Sequence, residues 1–268
     1  GRGGGLVLVL VATRIARNLM MSHGIITLHQ DKHKAPSSTQ PRPLSLQDGR
    51  AFHKTELEQP AMLNKQTIQS LESLLQKGQV FTDTASLLTY EVDAGVDRGM
   101  PDGVVLPHSA QDVARIVLWA VEHHVPLVGR GAGTGLSGGA VAEHGGLIVE
   151  FSRMNRVLDV DVYGRSAVVE PGLINLRLDE QVRAHGLYFP PDPASQRAST
   201  IGGNVSENSG GPHCFKYGVM TNYVTGMQVV LADGRVVQVG GRALDYPEYD
   251  FCGVLTGSEG MLVLMTAI

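Results

Sequence analysis

Gly129-Arg-Gly-Ala-Gly-Thr-Gly-Leu-Ser-Gly-Gly139 decides how the rest of this chain is read. Gly133, Gly135 and Gly138 give a literal GxGxxG, the spacing of a Rossmann dinucleotide turn. That turn must run straight into a helix whose first N–H groups face a pyrophosphate. Here Gly138-Gly139 and Gly145-Gly146 bracket a short segment with no amphipathic period, so the helix is not expected. Residues without side chains still let successive backbone N–H groups converge into an anion-binding nest, and Thr134 and Ser137 add hydroxyl donors. The stretch therefore reads as a diphosphate cradle on a different scaffold, the alternative being a glycine-rich turn with no ligand.

Upstream, Val125 to Gly129 reads as a buried strand. Ser109 and Asp112 form a capping box ahead of a helix whose Val113, Ile116, Val117 and Ala120 share one face and which ends near His124. Met100 to Pro107 reads as a turn and short strand, so strand, helix, strand and glycine loop follow in order. Further back, Ile68, Leu71, Leu74 and Leu75 recur at helical spacing, with Gly78 as the expected C-cap. Downstream, Leu147 to Phe151, Val157 to Asp161 and Ala167 to Glu170 read as strands, and Leu173 to His185 as a helix closed by Gly186. Tyr223 to Leu231 and Arg235 to Val239 flank Asp233-Gly234, a hairpin signal. The fold class implied is α+β.

A second cluster, Pro190-Pro-Asp-Pro-Ala-Ser-Gln-Arg-Ala-Ser-Thr-Ile-Gly-Gly-Asn-Val-Ser-Glu-Asn-Ser-Gly-Gly211, again mixes glycine with small hydroxyl and amide residues. Two such clusters, separated by roughly fifty residues rich in strand signals, suit an elongated ligand with a diphosphate at one end and a flat polar ring at the other.

The order PLVGRGAGTGLSGGAV, YFPPDPASQRASTIGGNVSENSGG, HCFKYG and TGSEG resembles the PCMH-type FAD-binding domain of the vanillyl-alcohol oxidase superfamily. Within it, the glycolate oxidase flavin subunits are nearest, then the D-lactate and D-2-hydroxyglutarate dehydrogenases. The resemblance spans about Asn64 to Ile268. It implies a FAD domain of two α/β subdomains, with the C-terminal cap domain that handles substrate absent from this chain. Carried over residue by residue, it gives the diphosphate to Arg130, Gly131, Ala132, Gly133, Thr134 and Gly135, with Ser137 and Gly138. The ribityl chain and isoalloxazine fall to Pro191, Asp192, Thr200, Gly202, Gly203, Asn204, Gly210 and Gly211. Some relatives attach the flavin through a loop histidine; Thr134 stands at that place, which implies non-covalent FAD. Cys214 reads as a small buried thiol rather than an attachment point. Glu259 either polarises the ring or orients nearby backbone, or is a solvated turn residue. Tyr217 packs near the flavin or is an ordinary buried tyrosine, His123 and His124 complement a helix dipole, and His213 stands beside a flavin motif.

The reaction implied is oxidation of a small 2-hydroxy acid, glycolate or D-lactate, by hydride transfer to flavin. The alternative is a non-catalytic FAD-binding or accessory subunit, and a nicotinamide-dependent dehydrogenase is a third reading that needs a helix after Gly138. No catalytic base and no metal site are read in the chain. The resemblance also implies a second flavin-type subunit and an iron–sulfur subunit as partners.

Composition agrees with a globular chain: 43% hydrophobic, 18% charged, a net charge of −4 and 33 glycines. Nothing in that charge suggests nucleic acid. Two cysteines, Cys214 and Cys252, give neither a disulfide framework nor a metal motif. The apolar run Leu6 to Ala12 is too short to span a bilayer. Residues 1–60 read as a disordered or non-native tail, 61–100 as a helix and connecting segment, and 101–268 as the FAD domain, truncated inside the run Met261 to Ile268. The expected location is cytoplasmic, with attachment to the inner membrane through partners.

Overall fold

A computed structural model describes residues 63–242 and 249–268. The tail expected over 1–60, with its run from Leu6, lies outside them.

Helix α1, Lys65–Leu74, starts where the Asn64 carboxamide accepts the Thr67 N–H at 2.9 Å and buries Leu71. It ends earlier than the spacing predicts. Leu75 is already extended, and Gly78, expected as the C-cap, instead takes φ +85° in a turn closed by the Gln79 side chain on the Gln76 N–H. Two short elements follow that carry no readable period, β1 (Val80–Phe81) and α2 (Thr84–Leu88).

A four-stranded sheet is built from β1, β2 (Gly103–Val105), β3 (Leu127–Arg130) and β4 (Leu147–Glu150), in the order β1-β2-β4-β3. β2 and β3 both run parallel to β4, and β1 is antiparallel at the edge. Between β2 and β3 lies α3, Ala110–His123, capped by the Ser109 hydroxyl on the Asp112 N–H. The Asp112 carboxylate accepts from the His108 N–H and from Gln79, tying α3 to the start of the sheet. The helix ends at His124 in the left-handed region, where His123 stacks on Trp119. Val113, Ile116 and Val117 pack with Leu147 and Val149 of β4, which is buried along its whole length. A strand covered on both faces reads as a continuous apolar run, as Leu147-Ile-Val does.

The second half holds a hairpin, β5 (Val157–Asp161) with β6 (Ser166–Val169), then α4 (Asn175–Arg183). Gly186 follows α4 with φ +74°. Beyond come α5 (Ile201–Ser206), α6 (Cys214–Tyr217), β7 (Gly226–Val230), β8 (Val236–Gly240), α7 (Phe251–Leu255) and β9 (Leu264–Ala267). β7 lies between β8 and β9, antiparallel to both, and Gly234 at φ +78° makes the expected hairpin turn.

This three-stranded sheet joins two cores. Val230 and Leu264 point into the core around α3, while their neighbours Val229 and Met265 point into the core formed with Leu178, Ile201 and Val205. Alternation of side chains along a strand explains the division.

Candidate functional site

The first glycine cluster leaves β3 as the turns expected, with no helix among residues 131–146. The second differs from expectation, because part of it is the helix α5. Thr200 caps it, its hydroxyl accepting the Gly203 N–H at 3.3 Å. Glycine belongs in this helix for steric reasons: a Cβ on Gly202 would stand 2.6 Å from the Pro171 side chain.

The two clusters meet. A Cβ on Gly131 would lie 2.2 Å from Thr200 Oγ1, so the loop backbone rests directly on the helix cap. Between them opens a cavity of about 350 Å³, within the range of small-molecule sites. Residues 129–137 line it from the first cluster, together with Gly139 and Ala140. Ser195, Ser199, Thr200, Gly202, Gly203, Asn204, Ser206, Glu207 and Ser209 line it from the second. Phe151, Pro171, Glu259 and Gly260, with Val263 to Met265, complete the wall. Gly138, Pro191, Asp192, Gly210 and Gly211 are not among the lining residues. Pro191 offers its carbonyl to Asn175, and Asp192 is packed against Gly211 and bonded to the His213 ring at 2.5 Å.

Arg130 does structural work inside the loop. Its guanidinium donates to the Val92 carbonyl at 2.7 Å and the Ala140 carbonyl at 2.8 Å, and lies 5.4 Å from the Tyr90 ring centroid. Burial lowers its pKa, while Asp93, Tyr90 and Glu150 oppose that shift. Residues 89–99 thus buttress the loop, with a further bond from the Ala94 N–H to the Gly135 carbonyl at 3.2 Å. Sequence reasoning saw only a connecting segment there.

Glu207 was also missed. Ser137 donates its hydroxyl to Glu207 Oε2 at 3.0 Å and Oε1 at 3.2 Å, bridging the clusters. A signal existed, since Gly203 and Glu207 stand four apart on one helical face, but a glycine pair reads as a helix breaker. Asn204 donates to the Asn175 side chain at 2.8 Å, anchoring α5 to α4. Cys214 is exposed rather than buried, because α6 turns that edge to solvent. Tyr217 is half-buried, with the Lys216 ammonium over its ring at 4.8 Å.

The wall suits a polar ligand with both donors and acceptors. Ser199 is 3% exposed, yet its hydroxyl has no partner among the described residues, and neither does Glu259 Oε2. Orphaned buried oxygens of this sort call for a ligand or water. A Cβ on Gly135 would meet nothing nearer than Glu207 Oε1 at 3.7 Å, so the glycine leaves space a side chain would fill. These features fit a dinucleotide. No cluster of metal-ligating side chains occurs among the described residues, and no helix there is long and apolar enough to cross a membrane.

Comparison with known proteins points the same way. A family model described as an FAD binding domain matches residues 101–240. The chain is 44% identical to the glycolate oxidase subunit GlcD of Bacillus subtilis, over 68% of this chain and 39% of that protein. It is 41% identical to a D-lactate dehydrogenase of Archaeoglobus fulgidus, over 61% of this chain and 37% of that protein. The chain thus spans well under half the length of these relatives. Among solved structures, an alkyldihydroxyacetonephosphate synthase superposes with a TM-score of 0.68 at 24% identity, covering 76% of this chain and 39% of that one.

Proposed function

Since this chain belongs to the FAD binding domain family, PCMH-type and of the vanillyl-alcohol oxidase superfamily, we propose that it is the cofactor-holding part of a flavin-dependent 2-hydroxy-acid dehydrogenase. Glycolate or D-lactate is the substrate, and the 2-oxo acid the product. One observation carries the reading: two glycine clusters far apart in sequence close on a single cavity through the contact of Gly131 with Thr200. The backbone of Arg130 to Gly135, with Gly138, receives the diphosphate, while Thr200, Gly202, Gly203 and Asn204 lie along the ribityl chain. Pro191, Asp192, Gly210 and Gly211 shape the backbone that presents this second cluster. When bound, FAD supplies the hydride acceptor for the carbon bearing the hydroxyl. The protein's part is to orient the cofactor and exclude water around it.

Thr134 offers no nucleophilic nitrogen, so the flavin is held non-covalently, and denaturation in acid releases it into the supernatant. Yellow colour remaining with the precipitate contradicts this. The redox function is tested by adding glycolate or D-lactate anaerobically to the flavin-loaded chain. Bleaching supports a dehydrogenase.

A non-catalytic, cofactor-holding role is the second reading. Among the described residues, no histidine lines the cavity, and Arg130, the one lining cation there, is already bonded to carbonyls. Flavin that stays yellow favours that role, with the substrate's base and carboxylate partner supplied elsewhere. Similarity to a subunit of glycolate oxidase supports a multisubunit setting, with a second flavin-type subunit and an iron–sulfur subunit as partners. A cytoplasmic place, with membrane contact made through those partners, accords with this setting.

A further inference from the structure

Two carboxylates face the cavity from different elements: Glu207 at the end of α5 and Glu259 in the turn before β9. A Cβ built on Gly139 would stand 3.4 Å from Glu207 Oε1 and 3.9 Å from Glu259 Oε2, so both acids converge on the end of the first glycine loop. Neither forms an ion pair among the described residues.

The surroundings add negative charge rather than neutralise it. Asp93, on the buttressing segment, acts on Glu207 electrostatically, and Asp97 reaches within 2.9 Å of a Cβ placed on Gly138. Arg130 is the buried cation of the loop, but its guanidinium is spent on the Val92 and Ala140 carbonyls. Among the described lining residues, the single charge of Arg130 does not balance a dianionic diphosphate beside two ionised carboxylates, so a net repulsion is left. The cavity is nonetheless built for a polar ligand, since the deeply buried Ser199 lines it with an unpartnered hydroxyl.

A proton resolves the conflict. Ionised, Glu207 can only accept hydrogen bonds; protonated, it loses its charge and gains one O–H donor. Resting on the reading that the diphosphate of FAD lies along Arg130 to Gly138, we propose that Glu207 binds that diphosphate as the neutral acid, so that loading FAD takes up one proton from solvent. The proton goes to the Glu207 carboxylate, and no other bond is made or broken. Burial pushes this carboxyl up, the Ser137 hydroxyl pulls it partly back, and Glu259 and Asp93 push it up again. A bound phosphate acts in the same direction as those two acids. Affinity is therefore full where Glu207 is already protonated and falls as pH rises beyond the carboxyl's value in the free protein.

The test is calorimetry of FAD binding to the flavin-free chain, in PIPES and in Tris, from neutral to mildly alkaline pH. FAD suits it because a diphosphate esterified at both ends exchanges no proton in that range. The expected result is uptake of close to one proton per FAD, read from the difference in heat between buffers, with Kd weakening about tenfold per pH unit. Glu207→Gln abolishes the uptake and flattens the pH profile while FAD still binds. Glu259→Gln leaves the uptake in place but moves it to lower pH. Heats that do not depend on buffer, with Kd independent of pH, overturn the inference and leave the cofactor site standing. Failure of the folded chain to bind FAD overturns the site itself. Buffer-independent heats from the unmutated protein alone overturn the inference, so its refutation does not hang on the folding of a variant.

Discussion

At Gly131 one methyl group decides whether the two halves of the cavity can meet. Its Cβ would fall 2.2 Å from Thr200 Oγ1, far inside contact distance, and Thr200 cannot retreat without releasing the cap on Gly203. Gly131→Ala is thus expected to destabilise the fold by about 1–3 kcal/mol, as overpacking does. FAD affinity should fall with it, because the loop must lift off the helix. Urea unfolding and flavin fluorescence titration check both, and an alanine variant with unchanged stability and affinity would refute the contact. Gly133 is held differently. Its φ of +65° is left-handed, and the Arg130 guanidinium lies 2.4 Å from where its Cβ would be. The arginine therefore shapes the loop from beneath, a role the sequence does not display: Arg130 could be read as a phosphate ligand from its place in the motif, whereas its bonds to Val92 and Ala140 depend on a segment whose approach no local pattern announces.

Elements were legible wherever a period and a cap coincide. α3 has Ser109 at its start and an apolar face of Val113, Ile116, Val117 and Ala120, and it lies within a residue of its expected span. β1 and α2 carry no such signal, being two and five residues long and fixed by tertiary pairing. α5 was hidden for another reason. Gly202 and Gly203 weaken a helix by roughly 1 kcal/mol each relative to alanine, yet Gly202 is required by the Pro171 contact, and the Thr200 cap helps to hold the turn. Such a short, glycine-bearing helix depends on its cap. Thr200→Ala should cost about 1 kcal/mol, while Thr200→Ser, which keeps the oxygen, should cost less. Comparison of chemical denaturation midpoints separates them, and equal losses in both variants would mean that the methyl group rather than the cap matters.

Among the described residues, two of the three cores share the β8-β7-β9 sheet, with the cavity against the same last strand. Val230 and Leu264 serve the first core, Val229 and Met265 the second, and Val263 to Met265 also reach the cavity wall. β9 is tied onward to β6 by reciprocal bonds between Val169 and Ile268 at 2.8 and 2.9 Å. A ligand seated on both glycine clusters therefore bridges structure packed on one core and structure packed on the other. It should stabilise them jointly, by about 2.7 kcal/mol when FAD is present at a hundred times its Kd. Hydrogen exchange resolves this by position. FAD should slow amide exchange in residues 131–139 and 201–209 together, with a parallel effect in the turn holding Glu259, whereas α1, which contributes nothing to the cavity, should change little. Protection confined to residues 131–139 would mean that the cofactor touches one cluster alone. The closure of Gly131 on Thr200 would then be a packing contact of the fold and not the mouth of a shared site.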